Sequence, residues 1–170
     1  NSLREDVGVS FETVRDWLEI LARFYYLFRV PPFTGTLART LKKETKAYLY
    51  DWGELTDDSK RFENMVALHL FKAVRTWRAE GEGDFDLFYI RDKEKREVDF
   101  VLTERRKPIC LIECKLGDLD LSASLFYFQQ KLGVPTAIQL VHREGISKKT
   151  TRGIYSRWVL SADRWLSMLP

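Results

Sequence analysis

The chain has 170 residues, of which 45% are hydrophobic and 14% aromatic, and it carries a net charge of +3. This length and apolar content suffice for one full core or two small ones, and they exclude a disordered chain. No apolar run approaches the roughly 18 residues that span a membrane, and we expect no signal peptide. We therefore expect no membrane partner and a cytoplasmic location, while the slight positive charge permits an anionic partner without requiring one.

The first part of the chain, residues 1–56, has the pattern of a truncated winged helix. We expect one helix to end at a turn near Gly8, and Ser10 to cap a second helix that runs to about Leu27. Apolar residues recur along the second helix at helical spacing and predict that one side of it is buried. They are Val14, Trp17, Leu18, Leu21, Tyr25 and Phe28.

Two short strands are expected after this helix. Residues 28–33 predict the first strand, halted by Pro31 and Pro32, and residues 47–50 predict its partner across a loop rich in lysine. Helix, turn, helix and hairpin together predict a winged-helix-like segment. The second helix of such a segment meets base edges in the major groove when it reads DNA.

The charge of that helix argues against a DNA-reading role. Acidic residues dominate its exposed side, where only two arginines accompany Glu12, Asp16 and Glu19. Negative charge would therefore face the phosphates of the nucleic acid. We expect residues 1–56 to act as a docking or connector segment.

Residues 57–170 are expected to form a second domain, of the α/β class. Capping residues at 57–59 predict a helix over about 60–77. The pattern then predicts strands over 87–90, 97–102 and 109–112, a helix over 122–132 closed by Gly133, a strand over 136–141, a basic loop at 148–152, a strand over 155–160 and a short helix capped by Ser161. A hairpin followed by a helical crossover predicts a mixed sheet flanked by helices.

The most informative stretch runs from Arg96 to Lys115, because it sets charged residues inside runs otherwise suited to a buried sheet. Asp99 and Glu113 occupy positions where apolar residues are expected. Side chains alternate along a strand, so Glu113 and Lys115 point the same way, roughly 6.6 Å apart along the backbone. Two interpretations remain open: a divalent metal held by hard oxygen ligands, and a structural ion pair between Lys115 and one acid.

Other familiar sites do not fit the spacing of the residues. Cys110 and Cys114 would lie about 13 Å apart on one face of a strand, so they are expected to be core thiols and not a disulfide. With only His69 and His142 elsewhere, no zinc-ligand spacing occurs. The GxxxxGK[ST] pattern of a P-loop is also missing, so any ATPase activity would belong to another part of a longer protein.

Asp99 is followed, after a short connection, by the acid-x-lysine sequence Glu113-Cys114-Lys115. This pattern resembles the PD-(D/E)XK active site of restriction-endonuclease-like nucleases and Holliday-junction resolvases. With the segments KRFENMVALHLFKAV, EVDFV and LIECK, the chain is similar to the nuclease-like domain at the C-terminal end of prokaryotic AAA-type P-loop ATPases. The segments FETVRDWLEILARFYYLFRVPPF and AYLYDWGEL match the part between the ATPase and nuclease-like regions. The resemblance implies a restriction-endonuclease-like fold over residues 57–170, preceded by a winged-helix-like connector.

The resemblance also implies metal-assisted hydrolysis of a phosphodiester. Asp99 and Glu113 would hold Mg²⁺ or Mn²⁺, Glu63 would bind it directly or through water, and Lys115 would orient the attacking water or balance charge at phosphate. Glu63 has a second explanation, because an acid in the first turn of a helix is favoured by the helix dipole. The crossover helix carries two candidate accessory residues, Gln129 and Gln130, since a glutamine reaches the site in some relatives, but we expect surface hydrogen bonding for both.

The expected partners follow from the same resemblance. They are a nucleic acid, with DNA favoured over RNA, and an ATPase domain in the same full-length chain. The alternative function is a non-catalytic module that binds nucleic acid or protein and regulates the missing ATPase part. This alternative is open because nuclease-like scaffolds are reused for binding.

Overall fold

The computed structural model describes residues 7–34 and 45–170. The N-terminal part contains helix α1 (Phe11–Arg23) and the antiparallel strands β1 (Leu27–Val30) and β2 (Lys46–Leu49). The Ser10 hydroxyl caps α1 by accepting a hydrogen bond from Thr13 N, as predicted. Most of the helix predicted before Gly8, and the lysine-rich loop between the strands, lie outside the described residues.

The second part begins with helix α2 and continues as alternating strands and helices. Its elements are α2 (Asp58–Ala79), β3 (Phe85–Arg91), β4 (Glu97–Glu104), β5 (Lys107–Lys115), α3 (Ala123–Leu132), β6 (Thr136–Val141), β7 (Ser147–Arg152), β8 (Tyr155–Ser161) and α4 (Ala162–Leu166). Asp57 caps α2, and Gly133 ends α3 in the left-handed conformation at a φ of 65°.

Six strands form one sheet in the order β3-β4-β5-β6-β8-β7. The pairs β3–β4 and β4–β5 are antiparallel, whereas β5–β6 and β6–β8 are parallel. The mixed sheet expected from a hairpin and a helical crossover is therefore confirmed. In the part of the chain that the structure describes, no helix combines the length and apolarity that a membrane crossing needs.

The sheet separates two apolar cores. One core packs α2 and the β1–β2 hairpin against one face and contains Leu70, Phe100 and Ile112. The other packs α3 against the opposite face and contains Phe128 and Leu111. Successive residues of β5 thus point to different cores, as strand alternation requires. Cys110 and Cys114 are free, buried thiols in the first core, as expected.

The prediction of a buried side on the N-terminal helix is wrong for α1. The helix ends at Arg23 instead of continuing to Leu27, and Tyr25 turns the chain with a positive φ of 57°. No residue of α1 is buried, and Trp17 remains 47% exposed. The helical spacing does produce an apolar side, but the described residues do not cover it.

Two predictions near the C terminus also need correction. The expected basic loop is the edge strand β7, whose six residues are all exposed. Lysine on an edge strand discourages pairing with another sheet, which explains a polar, charged sequence in a strand. Ser161 does precede α4, but its hydroxyl accepts a hydrogen bond from Ile146 N and does not cap the helix.

Candidate active site

A fork between β4 and β5 lies at the centre of the candidate site. The backbone ladder runs as far as the pair Phe100–Ile112, and the next contact is made by a side chain. Asp99 Oδ2 accepts a hydrogen bond of 2.9 Å from Cys114 N. The carboxylate of Asp99 thus substitutes for a backbone acceptor and is fixed beside the middle residue of Glu113-Cys114-Lys115.

A buried carboxylate and a lysine lie on the other side of β5. Lys115 Nζ is 3.0 Å from Glu113 Oε1, and the Glu113 side chain is only 7% exposed. Burial raises the pKa of Glu113, while the Lys115 ammonium opposes this effect. Ser122 lies close enough to favour the charged carboxylate, yet Glu113 Oε2 is buried without a hydrogen-bond partner in the described part of the chain. An unpartnered buried carboxylate oxygen is a feature of sites built to receive a donor or a cation.

A second lysine, which the sequence did not reveal, organises the remaining acids. Lys46 Nζ, from the first residue of β2, lies 3.0 Å from Glu63 Oε1, 2.6 Å from Glu97 Oε1 and 3.8 Å from Asp99 Oδ1. Tyr48, two residues further along β2, donates a hydrogen bond of 2.6 Å to Glu63 Oε1. The N-terminal hairpin therefore supplies both a cation and a hydroxyl to the acidic cluster.

The electrostatics of the cluster follow from burial and crowding of like charge. Burial, together with the Glu63 and Glu113 carboxylates, raises the pKa of Asp99 to about 7, against the opposing Lys46 ammonium. Burial lowers the pKa of Lys46, but the carboxylates of Glu63, Asp99 and Glu97 outweigh that effect and raise it above the ordinary value. Lys46 therefore stays charged and is a counter-ion of these acids.

Four of the residues that the sequence singled out, Glu63, Asp99, Glu113 and Lys115, lie in two adjoining groups. Glu63 from α2 and Asp99 from β4 share the ammonium of Lys46. Glu113 and Lys115 form their own pair along β5, on the face opposite to Cys114. Asp99 joins the groups, because it bonds to Cys114 N and its pKa is raised by both neighbouring acids.

The two candidate glutamines lie on α3, away from these contacts. Gln129 is buried, which corrects the expectation of surface hydrogen bonding. Its amide donates to the carbonyls of Pro135 and Ser156 and accepts from Arg157 Nε at 2.6 Å. These bonds tie α3 to the parallel strands and use both ends of the amide. Gln130 is exposed.

Three site residues, Lys46, Tyr48 and Glu97, are additional to those predicted from the sequence. The sequence could have indicated Glu97, because it precedes Asp99 by two positions on the same strand and residues with this spacing point to the same face of a sheet. Lys46 and Tyr48 had none, since they lie in the N-terminal region and meet Glu63 only through the tertiary fold.

The donor atoms are of the kind that a hard divalent cation prefers, since the acids offer only carboxylate oxygens. One of these, Glu113 Oε2, has no hydrogen-bond partner within the described ranges of the chain. The arrangement of these carboxylates differs from that of a metal site. In residues 7–34 and 45–170, no group of three or more histidine, cysteine, aspartate or glutamate side chains is arranged to hold a metal ion. Three of the carboxylates are instead gathered around the Lys46 ammonium.

The fold and this site define a mixed α/β domain with an acid–lysine cluster at a strand fork. Residues 59–158 match the model of a family described as Domain of unknown function (DUF4143), and the chain belongs to this family. Residues 1–57 match a second model, described as Domain of unknown function (DUF8612). The two matches meet at the start of α2. A comparison with curated proteins finds no match.

Proposed function

We propose that residues 57–170 are a metal-dependent phosphodiester hydrolase of the PD-(D/E)XK type that acts on nucleic acid, with DNA as the preferred substrate. The observation that carries this proposal is the hydrogen bond between Asp99 Oδ2 and Cys114 N. It holds an acid of one strand against an acid-x-lysine sequence on the next. The Glu113–Lys115 contact of 3.0 Å adds a polar pair at the same fork.

The topology supports a restriction-endonuclease-like assignment of this domain. An antiparallel meander of β3, β4 and β5 is followed by the α3 crossover to the parallel strand β6. The site lies at the end of the sheet where β4 and β5 separate. The α1 helix followed by the β1–β2 hairpin supports a winged-helix-like connector before it. An ATPase region in the same full-length chain is the partner that we propose for this connector.

In the proposed mechanism, Asp99 and Glu113 would hold Mg²⁺ or Mn²⁺, with Glu63 as a direct or water-mediated ligand. Such an ion supplies Lewis-acid polarisation of the phosphate. Lys115 orients the attacking water and neutralises charge on the phosphate, and its position is set by Glu113 Oε1. The Cys114 N–H keeps Asp99 in the fork, and Tyr48 restrains the Glu63 carboxylate.

A nuclease assay tests the proposal. Labelled branched DNA, linear DNA and RNA are incubated with the wild-type chain and Mg²⁺ or Mn²⁺, and with Lys115→Ala. Lys107→Ala is the matched control, because Lys107 is an exposed residue at the opposite end of β5. We expect cleavage by the wild type and the control, and a loss of at least about 100-fold in Lys115→Ala, the usual range for an acid–base group. Equal activity of all three proteins would contradict the assignment.

A non-catalytic interaction module is the second candidate function, and one observation favours it. Lys46 already contacts Glu63, Glu97 and Asp99 and balances part of their negative charge, so the cluster can serve as a structural ion network without a metal. The apolar side of α1 that the described residues leave exposed, with Trp17 and Ile20, offers a surface for protein contact. Binding of nucleic acid or of an ATPase fragment, without cleavage under any metal condition, would favour this candidate.

A further inference from the structure

The Lys46 ammonium lies among three carboxylates, and two of them, Glu63 and Asp99, are proposed ligands of the divalent cation. It lies within 3.0 Å of carboxylate oxygens from two separate elements, α2 and β4, and within 4 Å of a third carboxylate. Its side chain is 24% exposed, so the ion network is only partly screened by solvent. An ammonium and a divalent cation compete for the same negative potential, and they cannot occupy the same space.

The acids that contact Lys46 each keep another partner if the lysine leaves. Glu63 retains the Tyr48 hydroxyl, Asp99 retains Cys114 N, and Glu97 retains Arg91 Nε at 3.5 Å. Removing Lys46 therefore leaves the carboxylates in position while it raises their negative potential. That is the condition under which hard oxygen ligands bind a divalent ion.

The lysine can leave without unfolding the hairpin that carries it. The backbone of β2 is held by Asn64, whose side chain bonds both Leu49 N, at 2.8 Å, and Leu49 O, at 2.7 Å. Tyr48 stacks on Phe28 in the core. Lys46 lies at the end of the strand, paired with Val30, and its flexible stem can swing towards solvent from a fixed backbone.

We propose that Lys46 is an internal competitor of the divalent cation, so that the N-terminal hairpin sets the metal concentration at which the site is loaded. This inference rests on the proposed metal-dependent function and adds its regulation. The ammonium balances the acids without metal, and withdrawal of its side chain leaves the carboxylates in place for the ion. Anything that attracts Lys46 elsewhere, a nucleic-acid phosphate in particular, would then favour loading of the ion.

Calorimetric titration with Mn²⁺ tests this competition on the chain described here. The variant Lys46→Met keeps the length and apolar stem of the side chain and removes the charge. Lys72→Met is the matched control, because Lys72 is exposed on α2 and is not a partner in the cluster. We expect Lys46→Met to bind Mn²⁺ with a dissociation constant at least about tenfold lower than that of the wild type, and the control to be unchanged.

The outcomes separate the competition from the proposed function. Wild-type binding of Mn²⁺ with equal or weaker binding by Lys46→Met would overturn the competition and leave the metal site standing. Absence of Mn²⁺ binding in both proteins at millimolar concentration would overturn both. If Lys46→Met is unfolded without metal, circular dichroism with added Mn²⁺ replaces calorimetry: recovery of helical signal supports the competition, and no recovery overturns it.

Discussion

Asp99 Oδ2 accepts a hydrogen bond of 2.9 Å from the backbone N–H of Cys114. The bond replaces the ladder contact that would follow the Phe100–Ile112 pair, so it both ends the pairing of β4 with β5 and fixes a carboxylate in the gap. Because the Asp99 side chain is only 17% exposed and shares its surroundings with two other acids, its charged form is destabilised. Asp99 therefore links β4 to β5, and its ionised form is destabilised by burial and by the neighbouring acids.

The raised pKa of Asp99 predicts a specific pH dependence of stability. Its pKa is about 7 in the folded chain, above the ordinary value near 4 in the unfolded chain, so the folded state binds the extra proton between these values. Stability from this group is full below pH 4 and is lost as the pH rises through 7. Asp99→Asn cannot ionise, so its free energy of unfolding should not show this loss. We expect the difference in unfolding free energy between Asp99→Asn and the wild type to grow by roughly 2–3 kcal/mol from pH 5 to pH 8, at about 1.4 kcal/mol per pH unit up to pH 7.

Urea unfolding of both proteins at pH 5 and pH 8 measures this difference. Asp84→Asn serves as the control, because the Asp84 side chain is 58% exposed. Parallel pH profiles for the wild type and Asp99→Asn would show that Asp99 is not destabilised by burial and neighbouring acids.

The Glu113–Lys115 pair distinguishes a metal site from a structural ion pair. Burial raises the pKa of Glu113, so the charged carboxylate is disfavoured without an added cation. We expect Glu113→Gln to equal or exceed the wild type in stability without metal, by up to about 1 kcal/mol, since relief of charge burial offsets the lost partner of Lys115. A structural pair predicts a loss of about 3 kcal/mol or more. Chemical denaturation with a chelator present decides between them, with Glu104→Gln, at the other end of β4, as the control.

Asn64 is expected to control the position of the hairpin that carries Lys46. It is buried, and its amide donates to Leu49 O and accepts from Leu49 N, as an adjacent strand would. Asn64→Ala would leave two backbone groups of β2 unsatisfied, at a cost of roughly 2–4 kcal/mol in unfolding free energy. The expected loss appears in denaturant unfolding, and hydrogen exchange should show faster exchange at Leu49 than in β5. Unchanged protection at Leu49 would mean that the hairpin is held by its apolar contacts alone.

The acidic side of α1 predicts the sign of a charge-reversal experiment. Glu12 and Asp16 are exposed, and Asp16 forms an ion pair with its neighbour Arg15, at 3.1 Å. The double variant Glu12→Lys, Asp16→Lys should bind DNA more tightly than the wild type, with a steeper dependence on salt. Gel-shift titrations at fixed and varied salt measure both quantities, and the neutral pair Glu12→Gln, Asp16→Asn should give an intermediate affinity. Weaker binding by the lysine variant would show that this side of α1 reads nucleic acid.

The sheet domain could be predicted from the sequence because its signals are local. Helical spacing and the Asp57 cap predicted α2, which spans Asp58–Ala79. Apolar runs predicted β6 over the same residues that the structure assigns to it, Thr136–Val141. The acids at Asp99 and Glu113 stood out because each interrupts such a run. A pattern within one helix or strand is enough to predict the type and approximate bounds of that element.

The features that escaped prediction depend on contacts between distant elements. The spacing of Trp17 and Leu21 predicted an apolar side of α1, but it carries no information on whether another element covers that side. Lys46 belongs to a lysine-rich stretch with no pattern of its own, and only the packing of the hairpin against α2 brings it to Glu63. The strand β7 looked like a loop because all of its side chains are polar and exposed, as an edge position allows.

Calorimetric binding of Mn²⁺ to the wild type, Glu113→Gln and Glu104→Gln tests most directly whether this cluster is a divalent-cation site. Glu113 supplies the buried carboxylate oxygen that has no hydrogen-bond partner among the described residues, whereas Glu104 lies at the far end of β4. The account predicts one Mn²⁺ site in the wild type and in Glu104→Gln, and no binding to Glu113→Gln, with or without duplex DNA. No Mn²⁺ binding to the wild type at millimolar concentration, even with DNA present, or undiminished binding to Glu113→Gln, would contradict it.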